Sequence, residues 1–348
     1  MQRSLSEQKC PKCGAPLRFD PASGKSVCDW CGASYEISTE ADAGLGEGGD
    51  YDAPVELELP LYNCLSCGAE IVADAVSASI TCPYCGNNIV MTEKVTGGLR
   101  PDGIIPFKID KKELPAAVRR FYADKKLLPR GFFSESSIEN VGGVYVPFWL
   151  YDCTLSGRAH YEGRQSTSAR EGDYIVTETR YYDVVRDVSM HFDQIPVDGS
   201  ERLDDALMDS LEPFDMKDAV PFKLDYLSGF CAERFDRSSE QVMDRAEYRM
   251  RTSALSIADA NARSGYESVT RLDDDLAPSE VDTKYMLLPV YTFSVKHGGK
   301  YYDFAMNGQT GKVVGDLPID SGRTALWWLK HFAIAFGLLM LVIWLVSC

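Results

Sequence analysis

This chain of 348 residues holds little that points to catalysis. Its four histidines, His160, His191, His297 and His331, are dispersed and form no H-E-x-x-H or other ligand spacing, so they offer no histidine metal site. No nucleophile elbow or other catalytic motif is present. The stretch "NGQTGKVVG" (307–315) approaches a phosphate loop, but Met306 stands where that pattern needs glycine and Val313 where it needs Ser or Thr. It reads instead as a tight turn between strands, with Asn307, Gly308 and Gly311 supplying unusual backbone angles. Cys153 and Cys231 read as buried thiols rather than nucleophiles. The expectation is a protein that is not an enzyme and has no evident small-molecule substrate.

Positive charge is also scarce. Lys and Arg number 36 against 52 Asp and Glu, a net of -16, and no stretch of clustered Lys or Arg stands out along the chain. Phosphate contacts need cations, so nucleic acid is a poor candidate partner unless a local patch forms. The start, "MQRSLSEQKC", lacks the apolar core of a secretory signal. That argues for a reducing compartment and against disulfides.

Cysteine is abundant and ordered. "KCPKCGAPLRFDPASGKSVCDWCGA" (9–33) places Cys10, Cys13, Cys28 and Cys31, and "NCLSCGAEIVADAVSASITCPYCGN" (63–87) places Cys64, Cys67, Cys82 and Cys85. Fourteen residues separate the inner cysteines in each copy, and the second copy follows the first at an offset of 54. "CGAPLRFD" aligns on "CGAEIVAD" without gaps, so the frame is a tandem duplication. Two cysteines two residues apart can offer both sulfurs to one ion, and the glycine after each pair (Gly14, Gly32, Gly68, Gly86) lets the chain turn there. Two such knuckles make a closed four-thiolate site suited to structural zinc, so two zinc ions are expected. Iron in a rubredoxin-like site uses similar knuckles, and ligation crossed between the modules is conceivable. The first ribbon has the better claim to nucleic acid, with Arg3, Lys9, Lys12, Arg18 and Lys25 against Glu7, Asp20, Asp29 and Glu36, yet that is only +1.

The other end reads "ALWWLKHFAIAFGLLMLVIWLVSC", with an unbroken apolar run from 332 to 346 that extends back to Ala325 across Lys330 and His331. A bilayer core of ~30 Å takes about twenty helical residues, so 325–346 is expected to cross a membrane once, with Lys330 reaching for the headgroups. Trp327 and Trp328 suit an interface, and Arg323 and Lys330 before the span place the N-terminal bulk in the cytoplasm. This predicts a tail-anchored protein of the cell membrane.

Between them the patterns alternate. Residues 111–126 and 238–263 have helical spacing, the latter opening on Ser238 and Gln241 as a capping box. Residues 144–163, 173–185 and 285–308 read as hairpin strands with turn signals inside them. "PFWLYDCTLSGRAHY" from Pro147 and "PVYTFSVKHGGKYYD" from Pro289 align at an offset of 142, matching Trp149 with Tyr291 and Gly157 with Gly299. The predicted class is α+β: ribbon 1 over 1–37, an acidic Gly-rich linker over 38–58, ribbon 2 over 59–95, an α+β domain with duplicated helix-plus-hairpin units over 96–320, and a transmembrane helix over 325–346.

The pairs "CPKCG" and "CDWCG", the segment "GGVYVPFWLYD", the phrase "LLPVY" and the ending "KYYDFAMNGQTGKVVGDLP" together resemble the bacterial family of transcription-factor-IIB-type zinc-ribbon proteins, some of them labelled primosomal-helicase-like. The resemblance runs from about residue 8 to 317. It implies zinc binding and, for membrane-anchored members, a link to membrane-stress systems containing flotillin-like (SPFH) or phage-shock-type proteins. It implies no reaction, and this chain has no helicase motor. Two functions are therefore expected to compete: a membrane-anchored scaffold that docks proteins, and a membrane-tethered factor that binds nucleic acid. The acidic balance favours the first.

Overall fold

The computed structural model describes residues 9–37, 57–64, 66–73, 80–82, 84, 88–98, 100–133 and 138–347. The predicted linker lies outside them up to residue 56. Ribbon 1 is a three-stranded antiparallel sheet of β1 (Arg18–Asp20), β2 (Lys25–Val27) and β3 (Ser34–Tyr35). Ribbon 2 contributes β4 (Leu57–Asn63), β5 (Glu70–Ala73), β6 (Ile80–Thr81) and β7 (Asn88–Gly98).

The body then runs β8 (Gly103–Ile104), α1 (Leu114–Tyr122), β9 (Ile138–Glu171), β10 (Tyr174–Asp198), α2 (Asp205–Leu211), β11 (Val220–Pro221), β12 (Cys231–Glu233), α3 (Ser239–Ala262), β13 (Ser268–Asp274), β14 (Ala277–His297), β15 (Lys300–Asn307) and β16 (Val313–Gly315). α4 (Ser321–Ser347) follows. β9 is the spine. It pairs antiparallel with β10, β14 and β13, and β12 lies parallel to its start at Val144 and Tyr145.

The apolar run at 144–150 within β9 explains why the sheet is covered on both faces. Side chains alternate along a strand, so Val144, Val146, Phe148 and Leu150 go to one face with Met208 and Leu211 of α2. Tyr145, Trp149, Tyr151, Cys153 and Leu155 go to the other, against Val242, Ala246, Met250 and Ala254 of α3. The mixture of helices and sheet is α+β, as expected. Ser238 and Gln241 form the capping box at the start of α3.

Three local expectations are corrected. Residues 144–163 are not a hairpin but part of one strand that turns only after Glu171. Gly157 was matched with the turn residue Gly299, yet a Cβ there would meet Asp275 Oδ1 at 2.7 Å and its carbonyl oxygen at 2.8 Å, so it is glycine because the chain at 275–276 crosses over it. The predicted helix over 111–126 is a short 3-10 turn (Lys111–Glu113) followed by α1, whose start is set by Pro115, tolerated only in a helix's first turn. At the turn between β15 and β16, Gly311 has φ +73°, but Asn307 and Gly308 have no such backbone angle. Asn307 instead bonds the turn, its Oδ1 accepting from the amides of Gln309 and Thr310 at 2.8 and 2.9 Å. Gly308 makes room for Phe107, whose ring would lie 2.5 Å from a Cβ.

The apolar C-terminal run forms one helix; an 18-residue window within Ser321–Val346 has a mean hydropathy of 2.2, and none of that window is buried against the body. It is long and apolar enough to cross a membrane.

Candidate metal centres

Among the described residues, three knuckles are built by the same two hydrogen bonds. In the first, the amide of Cys10 donates to the carbonyl of Ala15 at 2.7 Å and that of Gly14 to Cys10 at 2.8 Å. Cys28 with Ala33 and Gly32, and Cys64 with Ala69 and Gly68, repeat the pattern at 2.7–2.9 Å. The closing glycines have φ of +76°, +69° and +72°, a conformation that costs other residues energy. Spacing and glycine are thus both consequences of one turn that aims two sulfurs inward.

In ribbon 1 the sulfurs of Cys10, Cys13, Cys28 and Cys31 all lie within 4.8 Å of one another. Cys10 and Cys31 are 3.6 Å apart, Cys13 and Cys28 3.5 Å. A tetrahedron with metal–sulfur bonds of about 2.3 Å has sulfur–sulfur edges of roughly 3.8 Å, whereas a disulfide needs about 2.05 Å. The donor set fits one ion. In ribbon 2, Cys64, Cys67 and Cys82 cluster in the same way, with Cys67 and Cys82 at 3.6 Å. Cys85, the expected fourth ligand, lies outside the described residues. Among the described residues these are the two groups of three or more metal-ligating side chains, and no histidine joins them. Cys153 is buried behind α3 with its sulfur 3.2 Å from that of Met250, and burial pushes the Cys231 thiol up to about 12, so neither is poised to react.

In ribbon 1 the Tyr35 hydroxyl lies 3.5 Å from Cys10 Sγ and, outweighing burial, holds that thiol down at about 6, while, against the pull of the Ala15 amide, burial and the neighbouring thiols push Cys13 up to about 12.

Both ribbons are seated on one short segment of the body. Phe19 of β1 is 1% exposed, its ring 5.4 Å from that of Tyr226, and its amide donates to the carbonyl of Ser228 at 3.0 Å. Ser228 returns a bond from its hydroxyl to the carbonyl of Leu17 at 3.1 Å. Three residues on, β12 pairs antiparallel with β5 of ribbon 2 through Cys231, Ala232 and Glu233.

Glu233 is 2% exposed and serves as the anchor of ribbon 2. It accepts from the hydroxyl of Tyr84 at 2.7 Å and from Ser200 at 3.0 Å, and Arg202 stands 3.6 Å away. Burial pushes its carboxyl up to about 7, against the pull of the two hydroxyls. Arg202 also caps the metal knuckle, donating to the carbonyl of Gly68 at 2.6 Å and of Cys67 at 3.5 Å. Sequence reasoning missed Tyr35, Arg202 and Glu233. Only the repeat offset carried a signal, since it equates Trp30 with Tyr84, and Trp30 is 85% exposed.

No family profile matches the chain, and no solved structure matches it. It is 35% identical over 319 residues to the uncharacterized protein YdjG of Bacillus subtilis strain 168, a match spanning 92% of each chain. At that identity and coverage, the chain belongs to the family of Bacillus subtilis YdjG.

Proposed function

We propose that this protein is a zinc-bearing scaffold, fixed in the cell membrane by α4 with its bulk in the cytoplasm, that docks other proteins through ribbon 1. The observation that carries the reading is the contrast between equivalent knuckle residues. Tyr84 of ribbon 2 is used to hold that ribbon to its own body, whereas Trp30 of ribbon 1 is 85% exposed. A large aromatic side chain held on a rigid, metal-closed turn is the type of residue that anchors protein interfaces. Zinc is the ion a closed four-thiolate site suits best. The partners implied by the resemblance to zinc-ribbon proteins of membrane-stress systems are SPFH/flotillin-like or phage-shock-type proteins.

Nucleic-acid binding is the rival. Of the five cations in ribbon 1, Arg18 is paired with Asp29 at 3.2 Å and Lys25 with Glu36 at 2.6 Å, which leaves few for phosphates. The test is a photo-crosslinking residue at position 29, exposed beside Trp30, in the full chain, activated in native membranes. Discrete protein adducts unchanged by nuclease are expected; adducts that nuclease removes would support the rival.

A further inference from the structure

The chain is strongly acidic, yet one surface is not. Residues 111–130 carry seven Lys or Arg against Glu113 and Asp124, a net of +5 in a molecule of net -16. The charges are spread over a 3-10 turn, a helix and a loop, so no run of cations marks them in the sequence. Arg119, Arg120, Lys125, Lys126 and Arg130 are all exposed. Lys125 has an ion pair with Asp124 at 3.6 Å, itself solvated.

This surface is fastened to the root of the apolar helix. The amide of Asp320 donates to the carbonyl of Leu127 at 2.9 Å, and the Arg323 guanidinium donates to the carbonyls of Lys126 and Leu128. Asp320 then caps α4, accepting from the amide of Arg323 at 2.8 Å. A helix rises about 1.5 Å per residue, so Trp327 stands roughly 6 Å beyond Arg323 along the axis. If Trp327 and Trp328 mark the edge of the hydrocarbon, loop 125–130 is held within the headgroup zone or about one Debye length of it.

The geometry points to a membrane-facing collar: residues 119–130 bind the headgroups of anionic lipids around α4 and fix the orientation of the body on the membrane. This rests on α4 spanning the bilayer, as in the proposed function. The cations of a juxtamembrane cluster contribute about fivefold each to attraction toward an anionic leaflet. Five of them, tied to the root of α4 by three hydrogen bonds to the carbonyls of Lys126, Leu127 and Leu128, give the body one preferred attitude and set the ribbons at a defined height.

The test uses the full chain in nanodiscs of phosphatidylcholine with or without phosphatidylglycerol, and reads the rate at which an amine-reactive reagent acylates individual lysines. Lys125 and Lys126 are expected to react several-fold more slowly in the anionic discs, with the difference removed by high salt. Lys300, at the β14–β15 turn, should not change. Equal rates for Lys125 and Lys126 in the two discs would overturn the collar while leaving the span intact. A chain that does not enter discs at all would overturn both. Slowing by inorganic phosphate in phosphatidylcholine discs would replace the lipid surface with a free-anion site. As a second variant, R119E/R120E/R130E should abolish the lipid-dependent slowing at the two lysines; persistence of the slowing would contradict the collar.

Discussion

The two ribbons share a cysteine frame at an offset of 54, yet the body treats them differently. Ribbon 2 is sewn into the large sheet through β5 and β12 and turns its knuckle aromatic, Tyr84, onto buried Glu233. Ribbon 1 keeps its own small sheet, is held by the Phe19 ring and the two hydrogen bonds exchanged with Ser228, and leaves Trp30 in solvent. The same cysteine frame is thus built into the wall in one ribbon and left as an outward face in the other, and the residues that differ are single positions such as Tyr84 against Trp30. The difference also limits how the ribbons can work together, because both rest on residues 226–233 and present themselves as one unit.

This comparison can be broken at three positions. Phe19→Ala has the largest expected effect, a loss of about 3–5 kcal/mol for emptying a buried aromatic site, read by denaturant unfolding of the detergent-solubilised chain. A loss confined to ribbon 1, with the body's transition unmoved, would mean that the seat is a passive contact. Tyr84→Phe should cost about 1–3 kcal/mol, because Glu233 stays buried with one partner fewer. Faster removal of the second ion by a chelator should accompany it, while the first ion leaves at the wild-type rate. Trp30→Ala should shift stability by only about 0.5 kcal/mol or less, since an exposed side chain leaves no cavity. It should nevertheless abolish the adducts formed near position 30, and a large stability loss there would show that Trp30 serves the fold rather than docking.

How much of this was written in the sequence follows from the range of the interactions. The cysteine frame was legible because a cysteine pair and its closing glycine act within one turn, and the structure gathers the seven described cysteines of that frame into two clusters that could each hold an ion. The start of α3 was legible for the same reason, since Ser238 and Gln241 satisfy each other three residues apart. The seats were not legible. Tyr84 meets Glu233 across 149 residues and Ser228 meets Leu17 across 211, and neither pair follows any local pattern. The length of β9 was misread because Gly157 looks like a turn residue to a reader who cannot see the chain crossing above it. The basic collar was missed because its cations are gathered by an α-helix and a loop, not by adjacency.

The central claim is that each ribbon holds its own ion on a common body, and metal content tests it most directly. The full chain should contain two zinc ions, and Cys10→Ser should retain one, still protected by the Tyr84–Glu233 seat. One ion in the unaltered chain, or loss of both ions from Cys10→Ser, would contradict separate sites and favour ligation crossed between the ribbons.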